Sequence, residues 1–124
     1  MKKFSELQAD KLYRALEDWF GFKPVEILYG APEEVREAVE ATLEPFWEER
    51  RRGVYVAAVE FVAACEEENH VAKSRWHFDA DEARELYQWG SRWRWRLFGK
   101  LSIAEFKEKF YEAAVAFVKV CEVN

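Results

Sequence analysis

Apolar residues recur along most of this chain with the three- to four-residue spacing of a helix face. The first stripe is Leu12, Leu16, Trp19 and Phe20. Ser5 followed by Gln8 fits a capping box ahead of it, and Gly21 supplies a stop, so a helix is predicted up to Phe20. Residues 22–30 break the spacing and read as an extended connection or a short strand, with Pro24 arguing against a central strand.

A second helix starts at Pro32, read as an N1 proline, with Glu33 and Glu34 on the positive end of the helix dipole. Val35, Val39, Thr42, Leu43 and Phe46 make its stripe, expected to face the core. Pro45 should kink this helix or restart it, because proline removes a hydrogen bond and clashes with the preceding turn. After Gly53 the stripe resumes as Val54, Ala58, Phe61 and Cys65; Val54 onward could also be a strand, but its length and its alanines favour helix.

Asp79 with Glu82 caps a third helix through at least Trp89. Ser102 with Glu105 caps the last one, with Leu101 placed to staple onto Phe106. Phe106, Phe110, Ala114, Phe117 and Cys121 fall on one face of it. The expected fold is therefore all-α, a single domain over residues 1–124 with four or five bundled helices and at most a minor pair of short strands. Residues 55–66 (YVAAVEFVAACE) and 111–122 (YEAAVAFVKVCE) match at eight of twelve positions, from Tyr55/Tyr111 to Glu66/Glu122. Either a helical hairpin has been duplicated with pseudo-twofold symmetry, or two buried helices have converged on similar letters.

Composition sharpens this picture in three ways. Half of the 124 residues are apolar and 17% aromatic, ample for a core. The nearly apolar run from Val54 to Cys65 is interrupted by Glu60 and is far short of the roughly 20 residues a membrane helix needs; no secretory leader is apparent, so the expectation is a cytoplasmic protein with no membrane partner. Four serines, one threonine, two asparagines and two glutamines stand against 43 charged residues, the usage of proteins that work hot, and a thermophile source is expected.

The net charge of −5 is unevenly spread: residues 1–70 carry −7, residues 71–100 carry +3 and residues 101–124 carry −1. Within the basic stretch, Tyr87 to Lys100 gathers three tryptophans, three arginines and a lysine with no acid. As a continuing helix, it puts Leu86, Trp89, Gly90, Trp93 and Leu97 on the core side and leaves Trp95 pointing away. As a strand from Ser91, with Gly90-Ser91 as the break, it buries the aromatics and makes an arginine-faced ribbon. Arg92, Arg94, Trp95, Arg96 and Lys100 are the candidate contact residues, suited to a partner's pocket or to stacking on bases and pairing with phosphate. The opposing reading is that the tryptophans fill the core and the arginines pair with glutamates.

Other chemistry is thin. Glu67 and His70 have the i, i+3 spacing of half a di-iron site, and His77 lies near Asp79 and Asp81, but such sites need the unit twice. Arg50-Arg51-Arg52 reads as a solvated helix face paired with Glu48. No nucleophile set or glycine-rich phosphate loop occurs, and no cofactor is implied. Cys65 and Cys121, ending stripes of identical phase, are expected on adjacent helices at matched depth, close enough for a disulfide if the source is hyperthermophilic. The function expected is a non-catalytic interaction module or complex subunit that self-associates or binds a protein partner. A nucleic-acid-contacting subunit, binding RNA or single-stranded DNA, is the alternative. A metal-dependent helical enzyme using Glu67, His70 and His77 is the third reading.

Overall fold

A computed structural model describes residues 1–21 and 30–123, which form four packed helices and, among those residues, no strand. The helices are α1 (Glu6–Phe20), α2 (Glu33–Glu66), α3 (Ala80–Arg94) and α4 (Ile103–Cys121). The connection read from residues 22–30 lies, up to residue 29, outside the described residues.

The local signals act where the sequence places them. The Ser5 hydroxyl accepts from the Gln8 N–H at 3.3 Å, and an Asp79 carboxylate oxygen accepts from the Glu82 N–H at 2.9 Å. Ser102 and Glu105 form a full reciprocal capping box, with Leu101 half-buried against the core. Each bond satisfies an N–H that the first helical turn leaves orphaned. Pro32 sits one position earlier than expected, at the N-cap. Gly21 ends α1 in right-handed geometry, and a Cβ there would come within 2.7 Å of the Glu17 carbonyl oxygen. The close approach explains that glycine.

α1 packs on α2, α2 on α4, α4 on α3, and α3 on α1, closing a ring around one core. Leu12, Leu16, Val54, Ala58, Phe61, Cys65, Leu86, Phe106, Phe110, Ala114, Phe117 and Cys121 are all fully buried, as their stripes predict.

The echo between the two hairpins extends well beyond the matched letters. Tyr55 donates its hydroxyl proton to Glu122 at 2.8 Å, and Tyr111 donates to Glu66, so the two echo segments run antiparallel and exchange equivalent bonds. The Lys3 N–H donates to the Cys65 carbonyl at 3.0 Å, and the His77 N–H donates to the Cys121 carbonyl at 2.8 Å. One residue on, Phe4 meets Phe61 edge to face at 5.5 Å while Phe78 meets Phe117 edge to face at 5.9 Å. Phe4 also meets Trp93, and Phe78 meets Trp19, each at 5.1 Å. Arg51 lies over Trp19 and Lys107 over Trp93. Tyr13 and Tyr87, the equivalent residues of α1 and α3, stack on each other with an interplanar angle of 8°. Each hairpin thus makes matching contacts within itself and with the other, α1–α2 corresponding to α3–α4.

Two features break the symmetry, and each has a cause. Leu16 corresponds to Gly90, and a Cβ on Gly90 would press on Tyr13 at 3.1 Å and meet Leu16 at 3.8 Å. The Tyr13 ring takes the space a side chain would need, so Gly90 is a close-packing glycine and not a break. The second asymmetry is length: Arg51 follows Trp19 by 32 residues, whereas Lys107 follows Trp93 by 14. The extra chain includes the start of α2, which continues through Pro45 and Gly53 as one helix of 34 residues instead of restarting. α1 runs antiparallel to α2, and its Ala15 and Asp18 share a cleft with Phe46, so α2 from Glu33 to about Pro45 projects as an arm about 20 Å long.

The C-termini of α2 and α3 share one device. Glu67 (φ 56°) and Arg96 (φ 55°) occupy the left-handed position that usually holds glycine. Glu68 N–H then bonds the Ala63 carbonyl and Leu97 N–H the Arg92 carbonyl, closing each helix with a Schellman turn. A side chain in this conformation costs about 1 kcal/mol. Glu67→Gly is therefore expected to raise stability by about 1 kcal/mol in urea denaturation, with no change in helicity. Arg96→Gly should come out near neutral, because it also removes a guanidinium stacked 4.0 Å from the Trp93 ring.

A candidate interaction surface

The basic, tryptophan-rich stretch is helix to Arg94, which settles its conformation against the strand reading. Leu86, Gly90 and Trp93 face the core and Trp89 is half-buried, as the helix reading requires. Leu97 does not join them. The left-handed turn at Arg96 takes the chain off the helical path, and Leu97 ends 61% exposed.

The five candidate contact residues divide into three groups. Arg92 is structural: its Nε donates to the Leu97 carbonyl at 3.0 Å, and the guanidinium covers Trp89 at 5.0 Å. Arg96 folds back over Trp93 and donates to that residue's carbonyl at 3.3 Å. Arg94, Trp95 and Lys100 face outward, with Trp95 66% exposed and the Arg94 guanidinium 5.8 Å from its ring. The cleft beside Trp95 is lined by Asp10, Tyr13, Arg14, Glu17 and Arg94. Its charge is mixed, and Asp10 also accepts from the Trp93 indole N–H at 3.3 Å. The arginines therefore do not add up to a continuous cationic face, because two of three are committed to closing and bracing their own helix end.

Glu67, His70 and His77, the residues of the third reading, do not form one side-chain cluster among the described residues. An i, i+3 pair shares a face only on a helix, and α2 ends at Glu66 with Glu67 in the left-handed turn. His70 consequently lies beyond the helix, in a groove with Lys73, Lys119 and Glu122, whose carboxylate already accepts from the Tyr55 hydroxyl. His77 is exposed on the approach to α3, its N–H holding Cys121. Among the described residues no three His, Cys, Asp or Glu side chains converge on a common point.

The disulfide is corrected. Cys65 and Cys121 are buried at matched depth on adjacent helices, as expected, but both are free. The antiparallel pairing that places Tyr55 against Glu122 and Tyr111 against Glu66 sends the cysteines to opposite ends of the helix pair. Ten residues of helix separate Tyr55 from Cys65, about 15 Å, against the roughly 7 Å between Cα atoms that a bridge allows.

The stripe that the sequence pattern assigned to the core is only partly covered, with Val39 and Leu43 half-buried and the rest exposed. Val35 is 47% exposed and Phe46 57% exposed, and Glu34, Val35, Ala38, Val39, Thr42 and Leu43 line a shallow apolar groove on the arm. Helix phase explains the difference. At 100° per residue, the mean direction of Val35, Val39, Thr42, Leu43 and Phe46 lies about 90° from that of Val54, Ala58, Phe61 and Cys65. One straight helix cannot turn both stripes to the same core. The back of the arm is held instead by Arg51, which pairs with Glu44 and with Glu48 at 3.0 Å while covering Trp19.

Gly53 continues the open stripe, five helical turns after Val35 and on the same line. A Cβ there would meet nothing within 4 Å, and the residue lies inside the helix. A mid-helix glycine costs about 1 kcal/mol relative to alanine, and no contact among the described residues calls for one at this place. It borders a cleft formed with Ala15, Asp18, Phe46, Glu49 and Arg50.

No helix among the described residues is long and apolar enough to cross a membrane. Comparison with protein families, curated proteins and solved structures finds no match to this chain, so the open α2 arm and the Trp95 corner stand on their geometry alone.

Proposed function

We infer that this protein is a non-catalytic interaction module that self-associates through the α2 arm. The observation that carries the reading is the arm itself: a helix extended past its own bundle with Val35 and Phe46 exposed on its apolar stripe. Such a stripe in water is stabilised only by a cover, and contiguous exposed apolar surface marks sites of association. The relative lengths of the two hairpins support this. Fourteen of the eighteen extra residues, 33–46, lengthen this helix beyond its counterpart, and the bundle closes without them.

Mass in solution tests the reading. Sedimentation across a hundredfold range of protein concentration should show a concentration-dependent rise above the monomer's 14.8 kDa. Val39→Asp and Phe46→Asp should return the protein to monomer with unchanged far-UV circular dichroism, since neither position is in the core. A monomer throughout would sink the proposal.

The Trp95 corner supports a second reading, contact with RNA or single-stranded DNA, through an exposed indole flanked by outward cations. With Arg92 and Arg96 committed within the chain, Arg94 and Lys100 neutralise about two phosphates, giving a log–log salt slope near −1.4 on single strands. Trp95→Ala should then cost about 1–3 kcal/mol of binding. Asp10 and Glu17 in the same cleft weigh against this reading, and no binding at low salt would remove it.

A further inference from the structure

We propose that the occupant of the α2 stripe is the α2 arm of a second copy of this chain, laid antiparallel about a twofold axis near Leu43. The inference rests on the self-association reading and adds to it the surface, the register and the ion pairs. Three observations on the arm converge on it.

The first is charge. Glu34 and Arg52 lie eighteen residues apart, five full turns, and so occupy the same edge of the helix at the two ends of the stripe. Both are exposed, and neither makes an ion pair among the described residues. Their midpoint is Leu43. A twofold axis there sets Glu34 against Arg52 of the second copy and Arg52 against its Glu34, closing both ends of one interface with opposite charges. A parallel pairing would set Glu34 against Glu34 and Arg52 against Arg52.

The second is shape along the stripe. The same axis brings Val39 to within one residue of level with Phe46 of the second copy, a short aliphatic side chain against a large ring. Thr42 and Leu43 fall beside their own equivalents at the axis. An isologous contact of this kind closes on itself and stops at a dimer.

The third is Gly53. In this register the second copy's arm tip, Pro32 and Glu33, crosses the stripe at Gly53, where the helix offers bare backbone beside Ala15 and Asp18. A glycine that no contact of its own helix requires becomes the seat for the end of another. The Arg50 guanidinium, bonded to the Asp18 carbonyl at 2.8 Å, forms the wall of that seat.

Charge exchange at the arm ends is the test, read by sedimentation and by far-UV circular dichroism of the full chain. Glu34→Arg and Arg52→Glu should each weaken the dimer about tenfold or more with unchanged helicity, and the double variant should restore it to near wild-type strength. Gly53→Leu should abolish the dimer while the monomer stays folded, because a Cβ at this position meets only open space. A dimer indifferent to all of these substitutions but dissociated by Phe46→Asp would pair the arms in another register, overturning this inference and leaving the broader reading intact. Single variants that dissociate without rescue in the double would exclude the antiparallel register. A wild type that is monomeric at every concentration would overturn both, leaving the stripe to a different occupant.

Discussion

Truncating Phe61 or Phe117 to alanine is expected to remove about 3–5 kcal/mol of stability, a large share of what a domain of this size possesses. Both rings are fully buried and occupy equivalent places in the two hairpins. Phe61 packs on Phe4 at 5.5 Å and on Phe110 at 5.3 Å, and Phe117 packs on Phe78 at 5.9 Å. Neither neighbourhood can collapse easily, because each is walled by other rings whose positions are fixed by a helix cap or by the ring of helices. Equivalent positions should suffer similarly, to within about 1 kcal/mol. Urea denaturation followed by circular dichroism measures both, and a loss below about 1 kcal/mol at each would mean that the core does not sit between the two hairpins.

Helix caps and stripes are legible in the sequence because each depends on a few neighbouring residues. Ser102-x-x-Glu105 satisfies its orphan N–H groups whatever the rest of the chain does, and Phe106 through Cys121 stay on one face for any straight helix. The α2 arm defeats the same reading for a related reason. Val35 to Phe46 and Val54 to Cys65 each hold helical spacing, and only their relative phase and the length of α1 decide that one is surface and the other core. That phase difference is present in the sequence, but it matters only when Pro45 and Gly53 lie inside a single helix.

The symmetry is partly legible. The echo at 55–66 and 111–122 survives in letters because both helices are buried on the shared contact, where side-chain volume is constrained. For α1 and α3 only Phe4/Phe78, Ala9/Ala83, Leu12/Leu86, Tyr13/Tyr87 and Trp19/Trp93 persist, interleaved with unrelated surface residues. They also sit in a different register from the echo, because the arm lengthens the first hairpin. The roles of the arginines lie beyond sequence reading. Whether Arg92 and Arg96 reach outward or fold back is decided by a left-handed turn at a non-glycine residue, which no spacing rule anticipates.

Alkali should unfold this protein over a narrow range, and the cysteines and tyrosines give the sign. Burial pushes the Cys121 thiol from its usual value near 9 up to about 11, and burial also raises Cys65. Tyr111 and Tyr55 are raised as well, by burial and by the Glu66 and Glu122 carboxylates that accept their protons. In each case the folded state holds the proton more tightly than the unfolded chain. That stability is fully present below the unfolded pKa and is lost as pH rises through the folded one. Cys121 alone then accounts for about 3 kcal/mol, at 1.36 kcal/mol per pKa unit, lost between about pH 9 and pH 11. The tyrosines, starting from an ordinary value near 10, extend the loss to higher pH. Denaturation midpoints measured from about pH 8 to pH 11 should therefore fall steadily, and Cys121→Ala, whatever it costs at the lower end, should show a shallower fall. The same burial makes both thiols slow to alkylate in the native protein at about pH 8 and fast in urea. A stability flat across that range would mean that the Cys121 end of the helix pair is open to water, and with it the Tyr55–Glu122 bond that joins the two hairpins.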